Sequence, residues 1–470
     1  MDRSTSSTSD ARPPKAPGLV YFGNSLAYIR DPLAFLCAMR DRHGDVVRVA
    51  LGPLKVVLVS SPDLVEDILV TRSRLFKKDA FMQVLSPVLG QGLLTSEGDF
   101  WRKQRRLAQP AFHRARIEGY GQAMSARALE LTERWSDGEE RDIHADMMRL
   151  TLEIVADALF GADVGGHAEA VGRAIDAVLS VVSDPLRVFL PGLAKLPLPS
   201  KRRFEHAISE LDRIVYGVID ARRREGDGGS ERTDLLAMLL AVRDEDGSRM
   251  SDKQLRDECM TLFLAGHETT AIHLMWTFLL LSQHPAVEKR VVDEIDRVLE
   301  GRVCGVADVP KLEILKNVLA ESMRLYPPAW SMGREALEDM TLGGFRIQRG
   351  EQLWFCPWSI QRDRRFFDAP DLFRPERWED PKIKELPRYA YFPFGGGARL
   401  CIGQAFAQIE AVILVATLLQ RFRVEVLPRP RPIPAPSVTL RPKKGLHACV
   451  RRRREASASR GSPSATAPRP

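Results

Sequence analysis

Apolar residues along the chain recur mostly at helical spacing, interrupted by a few β-branched runs. Residues 46–51 and 56–59 are β-branched and split by Gly52-Pro53, which predicts a hairpin. Helical periodicity covers 62–75, 100–135, 144–185 and 200–224. Between the first two, 81–94 is apolar but broken by Pro87, Gly90 and Gly92, which predicts a long irregular loop of the kind that often carries function. A Pro- and Leu-rich connection, 189–199, joins the last two, and 225–233 is a polar, Gly-rich surface loop. Ser251 and Gln254 form a capping box, opening a helix that can run to His284 before Pro285. At 1.5 Å per residue it is roughly 50 Å long, enough to cross a domain. A further helix over 311–325 stops at Tyr326-Pro327-Pro328. Short strands and turns fill 334–356, and Pro-rich irregular chain fills 357–393. A last helical pattern includes Phe406, Ile409, Val412, Ile413 and Ala416, and 424–427 with 438–440 suggests a closing hairpin. No internal repeat is present. The expected fold is mainly α with a minor β region, in a single large domain over 15–450. Residues 1–14 and the basic tail 451–470 are expected to be disordered.

Composition changes this picture little. Of 470 residues, 44% are hydrophobic and 28% charged, so a large core is available. The net charge of +7 misleads, because residues 441–470 hold nine Lys/Arg against one Glu. The rest of the chain is close to neutral, so no nucleic-acid partner is expected. Six cysteines (37, 259, 304, 356, 401, 449) are scattered without a CxxC, which argues against a zinc site or disulfide framework and suits a reducing compartment. Residues 1–17 lack the apolar core of a signal peptide, and no apolar run reaches the ~18–20 residues of a membrane span. A cytoplasmic protein without a membrane anchor is expected.

The candidate chemistry centres on residues 394–403, Phe-Gly-Gly-Gly-Ala-Arg-Leu-Cys-Ile-Gly. Three glycines let a flat ligand approach the backbone. Cys401 follows at the mouth of a helix, where free N–H groups and the dipole favour a thiolate, and Arg399 adds positive charge. Within the long helix lies Ala265-Gly266-His267-Glu268-Thr269-Thr270. Its mid-helix glycine costs roughly 1 kcal/mol relative to Ala and so wants a reason, read here as an open patch. Thr269 can hydrogen-bond back onto its own helix, and Glu268 is placed to relay protons.

The first stretch resembles the haem-binding loop of the cytochrome P450 family, with Phe394, Gly395, Gly397, Arg399, Cys401 and Gly403 at its fixed positions. The resemblance implies haem b ligated by Cys401, the metal ligand. It makes Glu268 and Thr269 the acid–alcohol pair above the distal face, beside Ala265. Trp101, Arg105, Arg334 and Arg399 match propionate-holding positions; Trp101 stands where many soluble bacterial members have His. Glu321 and Arg324, joined by Arg377, match a structural brace behind the cysteine loop, with Trp378 departing from the family's usual Phe. In this family the regions of Phe81, Met82, Leu85 and Val88, the 186–198 connection, Trp330, Met332 and Val438 line the distal pocket. Their apolar character suits a lipophilic substrate such as a fatty acid, terpenoid or steroid.

The activity so implied is a monooxygenase that inserts one atom of O2, with thiolate ligation favouring O–O cleavage. No flavin or iron–sulfur motif is fused to the chain, so electrons from NAD(P)H would arrive through a ferredoxin or flavodoxin and its reductase. Arg102, Lys103 and Arg106 are candidates for the partner face. The alternatives are a thiolate-haem isomerase, dehydratase or peroxygenase, against which Glu268-Thr269 argues, and a haem-based sensor, which needs no proton relay.

Overall fold

The computed structural model describes residues 11–19, 21–161, 168–182, 199–225, 234–242, 247, 249–430 and 432–453. The main helices are α1 (Pro32–His43), α2 (Gly98–Ala108), α3 (Arg114–Arg134), α4 (Ile143–Phe160), α5 (Ala168–Val182), α6 (Pro199–Glu225) and α7 (Leu235–Ala241), followed by α8 (Asp252–Gln283), α9 (Pro285–Leu299), α10 (Glu313–Leu325) and α11 (Gln404–Arg421). The expected capping box opens α8: Ser251 Oγ accepts from Gln254 N at 3.3 Å, and Ser251 N donates to Gln254 Oε1 at 2.8 Å. Pro285 ends α8 and serves as the first residue of α9, a position where its missing N–H costs nothing. The periodicity reading passed over α1, α7 and α9.

The strands are β1 (Val46–Leu51), β2 (Leu54–Val59), β3 (Phe76–Lys78), β4 (Glu139–Asp142), β5 (Met332–Ala336), β6 (Met340–Leu342), β7 (Phe345–Ile347), β8 (Gln352–Phe355), β9 (Phe422–Val426), β10 (Pro434–Pro436), β11 (Leu440–Pro442) and β12 (His447–Arg452). One sheet has the order β1-β2-β8-β5-β3, with β2 and β8 parallel and the other pairs antiparallel. The predicted hairpin at Gly52-Pro53 is its edge pair, Val46 opposite Val59.

Three expectations need correction. The closing hairpin is not formed by 424–427 with 438–440. Instead β9 pairs with β12, which also takes β4 in a three-stranded sheet, while β11 pairs with β10. Arg451 and Arg452 therefore end a strand rather than begin a tail. At the other end, residues 11–14 are tied down: Ala11 O accepts from Arg346 N at 2.9 Å, Arg12 pairs with Glu351 at 2.6 Å, and Pro14 O accepts from Arg48 N at 2.8 Å. The helix read over 62–75 is regular only for Pro62–Glu66. It widens into a π-type turn at Asp67–Thr71, then tightens at Ser73–Leu75.

The largest apolar cluster joins α3, α4, α8, α9, α10 and α11. A second, which includes Leu85, Val88, Trp101 and Leu264, lies among α2, α5, α6 and the first half of α8. Helix α8 runs through both. It is buried on nearly all sides, its charged residues Arg256, Asp257, Glu258 and Glu268 included. No helix of the described residues is long and apolar enough to cross a membrane.

Candidate functional site

The loop carrying Cys401 is shaped by close backbone packing. Gly395 and Gly397 have φ of 73° and 62°. A Cβ on Gly397 would lie 1.9 Å from Leu69 O, so this position rests directly on the π-type turn. Cys401 N donates to Phe394 O at 3.0 Å and closes the loop. Helix α11 starts three residues later, with Gly403 at its cap. Cys401 is the exposed member of the six cysteines. It is accessible, yet protein surrounds it closely, and that desolvation pushes its thiol pKa up; the Gly403 N–H and Arg105 pull the other way and do not prevail. The helix-mouth N–H acts in the expected direction, and desolvation outweighs it. A coordinating cation would remove the proton outright.

Four cations and an indole stand around this loop. Arg105 of α2 donates from Nη1 to Leu400 O at 2.9 Å, linking α2 to the residue before Cys401. The Arg399 guanidinium lies 3.7 Å from the Trp101 ring centre, pairs with Glu97, and donates to Ser96 O at 3.0 Å. Burial draws its pKa down to about 10. Arg334 on β5 sits opposite Lys78 on β3. Desolvation lowers the pKa of both, that of Lys78 strongly. Arg334 donates from Nη1 to Gly333 O at 2.7 Å, and Lys78 Nζ donates to Leu93 O at 2.9 Å and to Leu94 O. Among the described residues neither is in a salt bridge. Lys78 is buried and Arg334 half-buried; Asp79 and Glu97 act on Arg334, and Glu97 and Glu258 on Lys78, only at a distance, so the pair suits a ligand that brings its own carboxylates. Lys78 was missed in the sequence because nothing local marks it; only strand register sets it against Arg334.

Helix α8 supplies the facing wall. From Leu255 to Leu281 every residue is buried except Ala265, Gly266 and Thr269. Thr269 Oγ1 donates to Ala265 O at 2.7 Å, the back-bond expected. Gly266 has a different reason from the one expected: a Cβ there would come 3.0 Å from Val155 Cγ2, so the glycine admits α4. Thr151 Oγ1 reinforces that contact by donating to His267 O at 2.9 Å. The open face is thus Ala265 and Thr269. Ile402, next to Cys401, packs on the cluster that holds Leu264 and Trp101, which joins the cysteine loop, α2 and α8 in one apolar cluster.

Glu268 is buried and faces the C-terminal hairpin. Its Oε1 accepts from Thr439 Oγ1 and Arg441 Nε, each at 2.5 Å. Burial works to raise its pKa, but the charge and hydrogen bonds of Arg441, with Thr439, hold the carboxyl below its usual range. Thr270 Oγ1 donates to Gly266 O at 3.2 Å. Glu410 of α11, also directed at Thr270, is fully buried, and desolvation raises its pKa to about 8. His267 and His273 make backbone contacts, Nδ1 to Phe263 O at 2.9 Å and Nε2 to Leu319 O at 3.0 Å. No group of His, Cys, Asp or Glu among the described residues is arranged to hold a metal ion.

Behind the loop, Glu321 and Arg324 are fully buried on α10. Arg324 donates from Nε and Nη2 to the two Glu321 oxygens at 2.9 Å each, and Arg377 Nε donates to Oε1 at 2.9 Å. Arg324 also donates to Gln361 O, Pro370 O and Leu372 O. Gln361 in turn accepts from Phe392 N at 3.1 Å, two residues before Phe394. The unusual Trp378 donates Nε1 to Glu321 Oε2 at 3.0 Å, a bond no Phe can make.

The substrate-side candidates separate. Leu85 and Val88 are core, 2% and 0% exposed; Met82 and Val438 pack half-buried on the same cluster. Phe81 is half-buried on the first of two single-turn helices, Ala80–Gln83 and Ser86–Leu89, which occupy the first part of the loop expected over 81–94, the rest being irregular. Trp330 belongs to the sheet-side core but donates Nε1 to Ser437 O at 2.9 Å, beside Val438. Met332 lies against Gly395 of the cysteine loop. The 186–198 connection lies outside the described residues.

A family profile described as Cytochrome P450 matches residues 13–450. The chain belongs to the cytochrome P450 family. It is 37% identical to cyclooctatin synthase of Streptomyces melanosporofaciens, over 90% of this chain and 92% of the relative. It is also 37% identical to pentalenene oxygenase of Streptomyces avermitilis, over 88% and 91%. A cyanobacterial P450, CYP120A1, solved with retinoic acid, superposes with a TM-score of 0.84 at 25% identity, covering 94% of this chain and 99% of that one. The protein is a P450 monooxygenase, an oxidoreductase whose cofactor is haem b, with NADPH supplying electrons through redox partners. O2 and a lipophilic molecule are its reactants.

Proposed function

We propose that this P450 oxygenates a cyclic terpenoid and that Cys401 is its haem ligand. The carrying observation is the pairing of an accessible cysteine in the glycine loop with a wall of α8 whose open face is Ala265 and Thr269. Haem held there supplies the activation of O2. Arg334, Lys78, Arg105, Arg399 and the Trp101 N–H are the groups to hold its propionates, with Phe394 and Gly403 framing the sulfur. With haem bound, Ala265 would leave space on the open face of α8, and Thr269 would offer a hydroxyl there to order a water and hold a proton. Glu268 passes protons from the Arg441 side. Such positioned acid groups contribute roughly 10²–10⁴-fold.

Phe81, Met82, Trp330, Met332 and Val438 give the pocket apolar walls, suited to a hydrocarbon skeleton. Of the three substrate classes expected, the relatives' names favour the terpenoid: one oxygenates pentalenene, and another, 37% identical, is cyclooctat-9-en-7-ol 5-monooxygenase. Electrons arrive from an acidic ferredoxin, or from a flavodoxin, at the α2 face of Arg102, Lys103 and Arg106. The test is reconstitution with a surrogate ferredoxin and reductase over panels of cyclic terpenes, fatty acids and steroids. Oxygenated terpenoid formed in step with NADPH consumption is expected; product only from the other two panels overturns the substrate reading.

A further inference from the structure

Glu268 is read above as a proton carrier, yet its partners come from the far end of the chain. β10 and β11 pair Pro436 with Leu440, leaving Ser437, Val438 and Thr439 as the turn. Thr439 and Arg441, flanking Leu440, converge on one oxygen of Glu268. One is the last residue of the turn and the other lies on β11, so the junction of turn and strand is directed at one carboxylate. Eight residues along α8, Trp276 Nε1 donates to Leu440 O at 2.9 Å, so α8 grips the hairpin at two points about 12 Å apart. Leu440 N donates to Pro328 O at 3.0 Å, and Trp330 holds Ser437 O.

We propose that Glu268 and this hairpin act as one unit in which Arg441 and Thr439 are positioning residues. They fix the direction and charge of the carboxyl, and the carboxyl in return clamps the turn that carries Val438 into the pocket wall. The wall that meets substrate and the group that moves protons are therefore mechanically joined. Among the described residues, the charged or titratable groups that act on this carboxyl are Arg441 from β11 and His267 from α8. A buried carboxylate stripped of its cation takes up a proton rather than stay charged. The proton-linked half of this inference rests on the relay reading of Glu268; the clamp does not.

The test uses the haem-loaded enzyme and two readouts. In Glu268→Gln and Arg441→Met, amide hydrogen exchange over 437–442 should accelerate about tenfold, the scale of a lost charge-assisted hydrogen bond, and Arg441→Lys should recover part of the protection. In Arg441→Met, the infrared band of the protonated Glu268 carboxyl, assigned by its absence in Glu268→Gln, should appear at higher pH than in the parent. The pH profile of NADPH oxidation should move the same way. Unchanged exchange in Glu268→Gln together with an unmoved profile in Arg441→Met overturns the inference. If Arg441→Met does not load haem, Thr439→Val decides: unaltered exchange over 437–442 overturns it. Normal turnover in Glu268→Gln with fast hairpin exchange overturns the relay and leaves the clamp. Slow turnover with an unmoved hairpin and profile does the reverse.

Discussion

Replacing Trp378 by Phe isolates one bond of the buried brace. Glu321 is fully buried and receives five donors: Arg324 Nε, Arg324 Nη2, Arg377 Nε, Arg374 N and Trp378 Nε1. Its Oε2 accepts from Arg324 Nε and Trp378, so the substitution halves what that oxygen receives. The aromatic packing mostly survives, because a Phe ring can still lie against Tyr391, 4.6 Å away by ring centres. The cost is thus that of a hydrogen bond to a charged acceptor, about 1.5–3 kcal/mol. Arg377→Met is the larger perturbation: it strips one cation from a buried carboxylate, which costs about 3–5 kcal/mol. Urea unfolding of the holoprotein, followed by tryptophan fluorescence and by the Soret band, measures both. Trp378→Phe should lower the midpoint modestly with the parent spectrum intact. Arg377→Met should lower it more and speed haem loss, since Gln361 carries the brace to Phe392. If both variants unfold within 0.5 kcal/mol of the parent, the network does not brace the loop.

Thr269→Ala should retain haem and NADPH oxidation but form less product per NADPH, the difference appearing as hydrogen peroxide; coupling equal to the parent would reduce Thr269 to a plain helix residue. His273 is buried as the neutral form, its pKa lowered by desolvation from 6.5 to about 4. The unfolded chain binds that proton first, so about 3 kcal/mol of stability, complete above pH 6.5, is lost as pH falls from 6.5 to about 4, and His273→Gln should flatten the measured stability–pH curve over that window. Lys103→Glu should slow reduction by an acidic ferredoxin chiefly through association, with the parent rate falling as salt rises toward 0.1–0.15 M, where charges are screened beyond about 8–10 Å. Rates indifferent to salt would count against the α2 face.

What the sequence disclosed is uneven, for physical reasons. The cysteine loop, the capping box at Ser251 and the brace were legible because each is a short motif whose residues are fixed by local backbone or charge requirements. Gly266 was legible as an anomaly but not in its cause, since Val155 lies on another helix. Lys78 and Arg441 were invisible: one acquires its setting from strand register, the other across 173 residues of chain. The closing hairpin was misread because 424–427 and 438–440 both hold β-branched residues, and no local signal says that β12 takes the first. The expected fall in the Cys401 thiol pKa weighed the helix mouth and Arg399 without the desolvation that only the assembled loop imposes.

The assignment of Cys401 meets its most direct test in the spectrum of the reduced, CO-bound protein. The parent should show the strongly red-shifted Soret band of a thiolate-ligated haem. Cys401→His should still bind haem, since the Arg334, Lys78, Arg105 and Arg399 side remains, but lose that band. A red-shifted band that persists in Cys401→His would place the ligand on another cysteine and contradict the site described here.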